Sequence, residues 1–238
     1  MSGVYHLMVS LIVVKSLLKV AQEIKNLSED GAILKDIEDK YKITVENGID
    51  PEYLKVLHSS LKRLPPQLIK DCGITFLGFK DLGPSKKYYP NHGQYVNNKL
   101  YINTQVFEDP SMDVDYDSGV ALNKFDQTLY HELGHGWDEV SGNGKDLSLK
   151  PDWLELSKWS EEPKKGYKRI IIKEKGCPVL KGDYYYAPDA KFVRFYGKRN
   201  PWDDWADTFA YYVGKMSNFV PEEKKKYFDG KLGKYYAE

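Results

Sequence analysis

In the stretch LYHELGHGWDEV, residues 129–140, His131 and His135 stand four positions apart and Glu132 directly follows the first of them. On an α-helix, residues at that spacing project from one face a turn apart, so both imidazoles can turn a ring nitrogen towards a single ion. Zinc suits such a pair. Glu132 is rotated from His131 by roughly a hundred degrees about the helix axis. Its carboxylate therefore stands beside the ion rather than on it, where it can take a proton from a polarised water. Gly134 and Gly136 each cost a helix about 1 kcal/mol relative to alanine, which marks places of close packing or ligand approach. With five histidines in the chain, a chance HExxH is on the order of one in a hundred. The pattern reads as a zinc site on a helix.

A catalytic zinc needs a third protein ligand and an open position for water. A metzincin would place Gly three and His six residues beyond the second histidine, where this chain has Asp138 and Ser141, so that subclass is excluded. His6, His58 and His92 lie upstream in unpatterned contexts and read as structural or exposed. Cys72 and Cys177 form no motif with the histidines; they are either one disulfide of a secreted protein or free core residues. A downstream carboxylate is the better third ligand. The segment RFYGKRNPWDDWADTFAYYVGKM, residues 194–216, offers one on a helix that Pro201 can start. Trp202, Trp205, Phe209, Val213 and Met216 form its apolar stripe, and Asp203 and Asp207 share an adjacent face one turn apart. Asp203 can then bind the ion while Asp207 accepts a hydrogen bond from the far nitrogen of a ligand histidine, fixing its tautomer. The alternative is that acids at a helix N-terminus merely favour its dipole. That reading is expected for Asp204 and stays open for Asp203.

The elements that must position these residues follow from periodicity and turn chemistry. Helix-like patterns cover residues 27–41 and 51–63, the second with Leu54, Leu57 and Leu61 on one face and a stop at Pro65-Pro66. A strand is expected from Ile74 to Phe79. Next, GQYVNNKLYINTQVF, residues 93–107, reads as a hairpin turning at Asn97-Asn98. The histidine helix runs from about Asn123 to Val140 and stops at Gly142-Asn143-Gly144. Residues 145–190 read as irregular and aromatic with one strand at Ile170–Ile172, and helices resume from Pro201. This gives an α+β chain: a helical lead over residues 1–45, then one catalytic domain over 46–238.

Lys plus Arg equals Asp plus Glu at 35 each over 238 residues, so no net field draws the protein to nucleic acid or an acidic membrane surface. The basic runs Lys164-Lys165 and EEKKK at 222–226 read as solvated surface beside acidic neighbours. The apolar run Leu7–Val14 is either the core of a signal peptide or one face of an amphipathic helix. No Lys or Arg precedes it and Lys15 interrupts it, which favours the helix. It is too short to span a membrane.

Taken together, these residues resemble the peptidase domain of anthrax toxin lethal factor and its relatives, the secreted bacterial Pro-Pro endopeptidases. That family shows HE[FL]GH on a helix, often with an Asp near the position of Asp138, then a helix of the form E-F-F-A-E-x-F with a tyrosine seven residues before its first Glu. Here DDWADTF stands in that place, with Tyr196 seven residues before Asp203. The similarity runs from about Leu54 to Tyr212 and takes in LPPQL and the GQYVNNKLYIN hairpin. It implies a zincin-like fold, with a small mixed sheet packed on the HExxH helix and a mainly helical C-terminal part. It also implies a secreted, toxin-related zinc endopeptidase, monomeric, with one Zn2+ per chain and a peptide or protein substrate cut with a preference for proline. By the resemblance, His131, His135 and Asp203 bind zinc, Glu132 is the general base, Tyr196 donates to the oxyanion, and Asp207 orients a ligand or substitutes as the third one. An extended substrate would lie along the hairpin at Leu100–Asn103, with Tyr184–Tyr186 lining pockets. Aspartate replaces glutamate at both acidic positions, shortening the reach by one methylene, so the backbone must approach the metal more closely. The gap from His135 to Asp203 is longer than in the family, which implies an insertion around residues 145–190. A degenerate binding module and a non-proteolytic zinc hydrolase acting on cell-wall material are the competing readings; a cytoplasmic location competes with secretion.

Overall fold

Punctuation by proline, asparagine and glycine accounts for most element boundaries. The structure, a computed structural model, describes residues 28–82, 92–108, 113–115, 120–173 and 181–237. The apolar run Leu7–Val14, His6 and Cys177 lie outside them. Helix α1 covers residues 28–41 and leads into the short strand β1 (Thr44–Val45). Helix α2 (Pro51–Leu61) starts at a proline in its first turn, with the Asp50 side chain accepting from the Glu52 N–H at 2.8 Å. It buries Leu54, Leu57 and Leu61, the face its periodicity predicts. Pro65-Pro66 ends that run and also starts α3 (Pro66–Asp71), a helix the periodicity does not announce.

Strand β2 (Phe76–Lys80) and the hairpin β3 (Gly93–Val96) and β4 (Lys99–Asn103) follow. Asn97 and Asn98 close the hairpin at φ 49° and 61°, the left-handed pair that a tight two-residue turn requires and that asparagine tolerates. The sheet order is β1-β2-β4-β3: β1, β2 and β4 run parallel, and β3 is antiparallel on the edge. After α4 (Gln105–Glu108), β5 (Asp113–Asp115) and β6 (Val120–Leu122) make a two-stranded antiparallel ribbon.

Helix α5 (Lys124–Ser141) carries the HExxH motif through the middle of the core. Its two glycines, two residues apart, point roughly 200° from each other. Each admits a different neighbour. A Cβ on Gly136 would lie 2.5 Å from the Cys72 carbonyl oxygen and 3.3 Å from the Tyr95 ring, on the side of α3 and the sheet. On Gly134 it would lie 3.1 Å from the Cα of Ala206, on the opposite side. Leu77, Leu100 and Ile102 of the sheet, Leu129 and Leu133 of α5 and Phe209 beyond belong to one buried cluster, which also takes in Ile37, Tyr41, Ile43 and Val45.

Residues 145–190 correct the sequence reading. Helix α6 (Pro151–Leu156) is followed by a three-stranded antiparallel sheet of β7 (Trp159–Ser160), β8 (Lys168–Lys173) and β9 (Lys181–Tyr186) in the order β7-β9-β8. Only β8 alternates enough apolar residues to read as a strand; β9 is KGDYYY, whose aromatic face packs on Trp159, Trp202 and Phe192. Tyr184 and Tyr186 thus belong to a satellite core and do not line a substrate pocket. A 3-10 turn (Phe195–Arg199) precedes α7 (Pro201–Val213), and α8 (Glu222–Leu232) closes the fold over it, with Phe228 against Trp205 at 5.0 Å between ring centres. The architecture is mixed α and β with small sheets. Among the described residues, no helix is long and apolar enough to cross a membrane.

Candidate metal centre

The centre is built where α5 crosses α7. Asn123 caps α5, its side-chain oxygen accepting from the Asp126 N–H at 2.8 Å, and Asp126 in turn accepts from Ser60 and Arg63 of the α2 region. This fixes the start of α5 two turns before His131. Asn200 caps α7 in the same way, accepting from the Asp203 N–H at 2.7 Å. The two caps set the rotation of both helices, and with it which side chains face each other.

His131 Nε2 and His135 Nε2 lie 3.0 Å apart, and the Oδ1 of Asp203 is 3.7 Å from each. The three residues form a group whose ligand atoms all lie within 4.8 Å of one another, so they could hold a metal ion. All three atoms offer lone pairs to one point, an arrangement that only a cation or a shared proton satisfies. Zinc bonds of about 2.0–2.2 Å at tetrahedral angles would space such atoms about 3.3–3.5 Å apart. The observed spacings bracket that value, and the donor set of two imidazoles and a carboxylate is one that zinc takes. Asp203 presents one oxygen only, because its Oδ2 accepts from the Asn200 side-chain amide at 2.7 Å and lies 3.6 Å from the Arg199 guanidinium.

Asp207, one turn further along α7, faces the other nitrogen of His131: its Oδ1 is 2.8 Å from His131 Nδ1 and also accepts from Arg194 at 2.8 Å. Asp207 is therefore positioned behind the ligand, with the histidine between it and the convergence point. Tyr196 stands edge-on to His131 at 5.6 Å between ring centres, with the guanidinium of Arg199 4.5 Å and that of Arg194 5.0 Å from its ring centre. Burial raises its phenol above the usual tyrosine range, reinforced by the Asp203 charge and opposed by Arg199.

Glu132 is buried against the edge strand. The Tyr95 backbone N–H donates to its carboxylate, and a Cβ on Gly93 would fall 2.7 Å from its Oε1, so only glycine leaves room for the carboxylate there. Burial pushes the acid up to about 7, with Asp203 and Asp207 adding to the effect and His131 opposing it. Burial disfavours charge on His131 too, but hydrogen bonds to Asp203 and Asp207 outweigh it and carry that imidazole up to about 9. His135 is driven down to about 3, first by burial and then by the neighbouring His131. Without a metal, one proton shared over the pair supplies the positive charge the acids demand.

The sequence reading placed His131, Glu132, His135, Tyr196, Asp203 and Asp207 as candidates, and the fold brings all of them together. It did not find Asn200, Arg194, Arg199 or the Gly93–Tyr95 stretch. Asn200 before a proline at the first helical position is a readable cap; the arginines sit in a 3-10 turn with no periodic signal. Two other readings are corrected. Strand β4, with Leu100–Asn103, is interior between β2 and β3, so the edge open to an extended chain is β3. Asp204 does not serve the helix dipole at a surface: it is fully buried against Lys224, whose ammonium is 2.5 Å away, and accepts from the Trp159 indole at 3.1 Å. Lys224 is likewise no part of a solvated run, being 1% exposed. His58 pairs with Asp36 at 2.7 Å, far from the centre in role as in sequence.

No protein-family model matches the chain, and no curated protein matches it. Among solved structures, the crystal structure of a Bacteroides caccae protein described as a "putative zinc-binding metallo-peptidase" is similar at 15% identity and a TM-score of 0.42, covering 89% of this chain and 84% of that one. A likeness of that size does not establish a shared fold, and the centre stands on its own geometry.

Proposed function

We propose that the protein is a zinc-dependent endopeptidase of zincin-like fold, with His131, His135 and Asp203 as the ligands of one ion per chain. The observation that carries this reading is the convergence of those three lone-pair atoms within 4.8 Å, beside a buried carboxylate that belongs to the same HExxH helix. Zinc bound there supplies Lewis-acid activation of water and polarisation of a substrate carbonyl. Glu132, held by the Tyr95 N–H and raised to about 7, is matched to accept a proton from the attacking water at neutral pH and to return it to the leaving amine. Tyr196, kept protonated by burial, donates its hydroxyl hydrogen bond to the developing oxyanion. Asp207 keeps the Nδ1 proton of His131 in place, leaving the Nε2 lone pair for the ion.

The substrate is a peptide or protein, taken up as an added strand on the β3 edge. The His92 carbonyl accepts from the Asn103 N–H at 2.7 Å, so the alternation of an antiparallel pair turns the backbone groups of Gly93 and Tyr95 outward. Tyr95 gives its N–H to Glu132, and Gly93 is left to meet the substrate backbone. Preference for proline and secretion rest on the resemblance alone.

Zinc content by elemental analysis of wild type, Glu132→Ala and Asp203→Ala, joined to cleavage of a random peptide library, tests the proposal. One zinc per chain in wild type and Glu132→Ala, loss in Asp203→Ala and no cleavage by either variant are expected. Zinc bound by wild type without cleavage of any peptide would sink the endopeptidase reading in favour of a binding module or another hydrolase.

A further inference from the structure

Aspartate at position 203 is one methylene shorter than the glutamate that the reach across two helices would otherwise favour, and the fold contains a feature that makes up the difference. On α5, Gly134 lies between the two histidines and faces α7. A Cβ there would meet the Cα of Ala206 at 3.1 Å, the Cβ of Phe209 at 3.1 Å and its Cδ1 at 3.2 Å. These are backbone and the stem of a packed ring, not the tip of a flexible side chain, so any residue larger than glycine forces the helices apart by a few tenths of an ångström. Ala206 sits on the same stretch of α7 as Asp203 and Asp207, so the crossing that touches at Gly134 is the one that brings Asp203 to the histidines. The carboxylate itself has little freedom to compensate. Asn200 holds Asp203 twice, at its N–H and at Oδ2, both at 2.7 Å, and leaves Oδ1 alone turned to His131 and His135.

We propose that the Gly134–Ala206 contact is a positioning device that selects the length of the acidic ligand: the close helix crossing makes aspartate the fitting residue at 203, and widening it would make glutamate the better one. The inference rests on the ligand assignment proposed above. Gly134 acts through the helix spacing and touches no reacting atom.

The test is the zinc dissociation constant of the full chain, measured by competition with a chromogenic chelator, for wild type, Asp203→Ala, Asp203→Glu, Gly134→Ala and the double variant Gly134→Ala with Asp203→Glu. Each of Gly134→Ala and Asp203→Glu is expected to weaken zinc by about tenfold or more. In the double variant the longer acid meets the wider crossing, and about fivefold or more of the Gly134→Ala loss is regained. A purely structural role for Gly134 would give no such recovery, because a second substitution would only add to the damage. A double variant weaker than both singles, with Asp203→Ala losing zinc, overturns this inference alone. Asp203→Ala retaining zinc overturns the ligand assignment and the inference with it. Should Gly134→Ala not fold, Asp203→Glu decides by itself on an intact crossing: zinc bound as tightly as by wild type means that the site is not cut to the shorter acid.

Discussion

Asp203 and Asp204 are neighbours on α7, both buried, yet the two sides of the helix they face have opposite characters. On the α5 side, Asp203 and Asp207 meet imidazoles, an amide and guanidinium groups arranged around a point that lone pairs converge on. On the α8 side, Asp204 meets a permanent cation: Lys224 donates to its Oδ1, Trp159 to its Oδ2, and the ammonium lies 5.2 Å from the centre of the Trp153 ring and 5.1 Å from that of Phe192. Burial alone therefore says nothing about the job of an acid. The partner decides: a closed ion pair spends its charge on the fold, whereas an acid facing histidine nitrogens keeps an oxygen for something else.

The sharpest way to break that comparison is to remove the cation. Burial drives Asp204 up to about 6 and Lys224 down, each towards neutrality, and the pair holds both charged near neutral pH. Lys224→Met leaves the carboxylate buried without its cation, and a loss of about 3–5 kcal/mol in unfolding free energy is expected from urea denaturation. Adding Asp204→Leu should recover much of it, because well-packed apolar replacements of a buried pair are often neutral. A Lys224→Met protein as stable as wild type would mean that the two faces do not differ in the way their partners suggest.

The opposite face should show the reverse pattern. Asp207→Asn keeps the shape of the side chain but cannot hold the His131 Nδ1 proton and the Arg194 guanidinium with a full charge. Zinc affinity is expected to fall by about 10–100-fold, while unfolding free energy measured without metal changes far less than in Lys224→Met. Equal losses of stability in the two variants would erase the distinction.

Local chemistry made one part of this legible and long-range pairing hid the other. The HExxH helix, its Asn123 start, the asparagine turn of the hairpin and the apolar face of α2 are all written within a few residues of themselves, so periodicity and turn preferences suffice. Asp203 and Asp207 were readable because a one-turn spacing on a helix is also local, although only the resemblance singled them out from Asp204. Lys224 was misread because its partner lies twenty residues upstream on another helix and its own neighbours are charged. The β7-β9-β8 sheet escaped notice for a similar reason: KGDYYY becomes a strand by pairing with β8 and packing on Trp202, and neither is visible in its own alternation.

Asp138 adds a third kind of buried acid, on α5 three residues beyond His135, and it turns the comparison into a gradient. Its partners are neutral: the Ser148 N–H donates at 2.7 Å and the Ser148 hydroxyl at 2.6 Å. With no cation beside it, burial pushes the acid up to about 8, against the opposing pull of those two hydrogen bonds. The folded state therefore binds this proton more tightly than the unfolded chain does, and the linkage runs opposite to that of a salt-bridged aspartate. Stability from this group is fully present below the unfolded pKa and declines as pH rises through the folded one. Between about pH 7 and about pH 9 the loss amounts to about 1.4 kcal/mol. Asp138→Asn removes the proton while keeping an acceptor for the N–H and a donor for the hydroxyl oxygen. The difference in unfolding free energy between the variant and wild type should then move in favour of the variant across that range. A difference that stays level with pH would show Asp138 to be ionised throughout, with the two serine hydrogen bonds outweighing its burial.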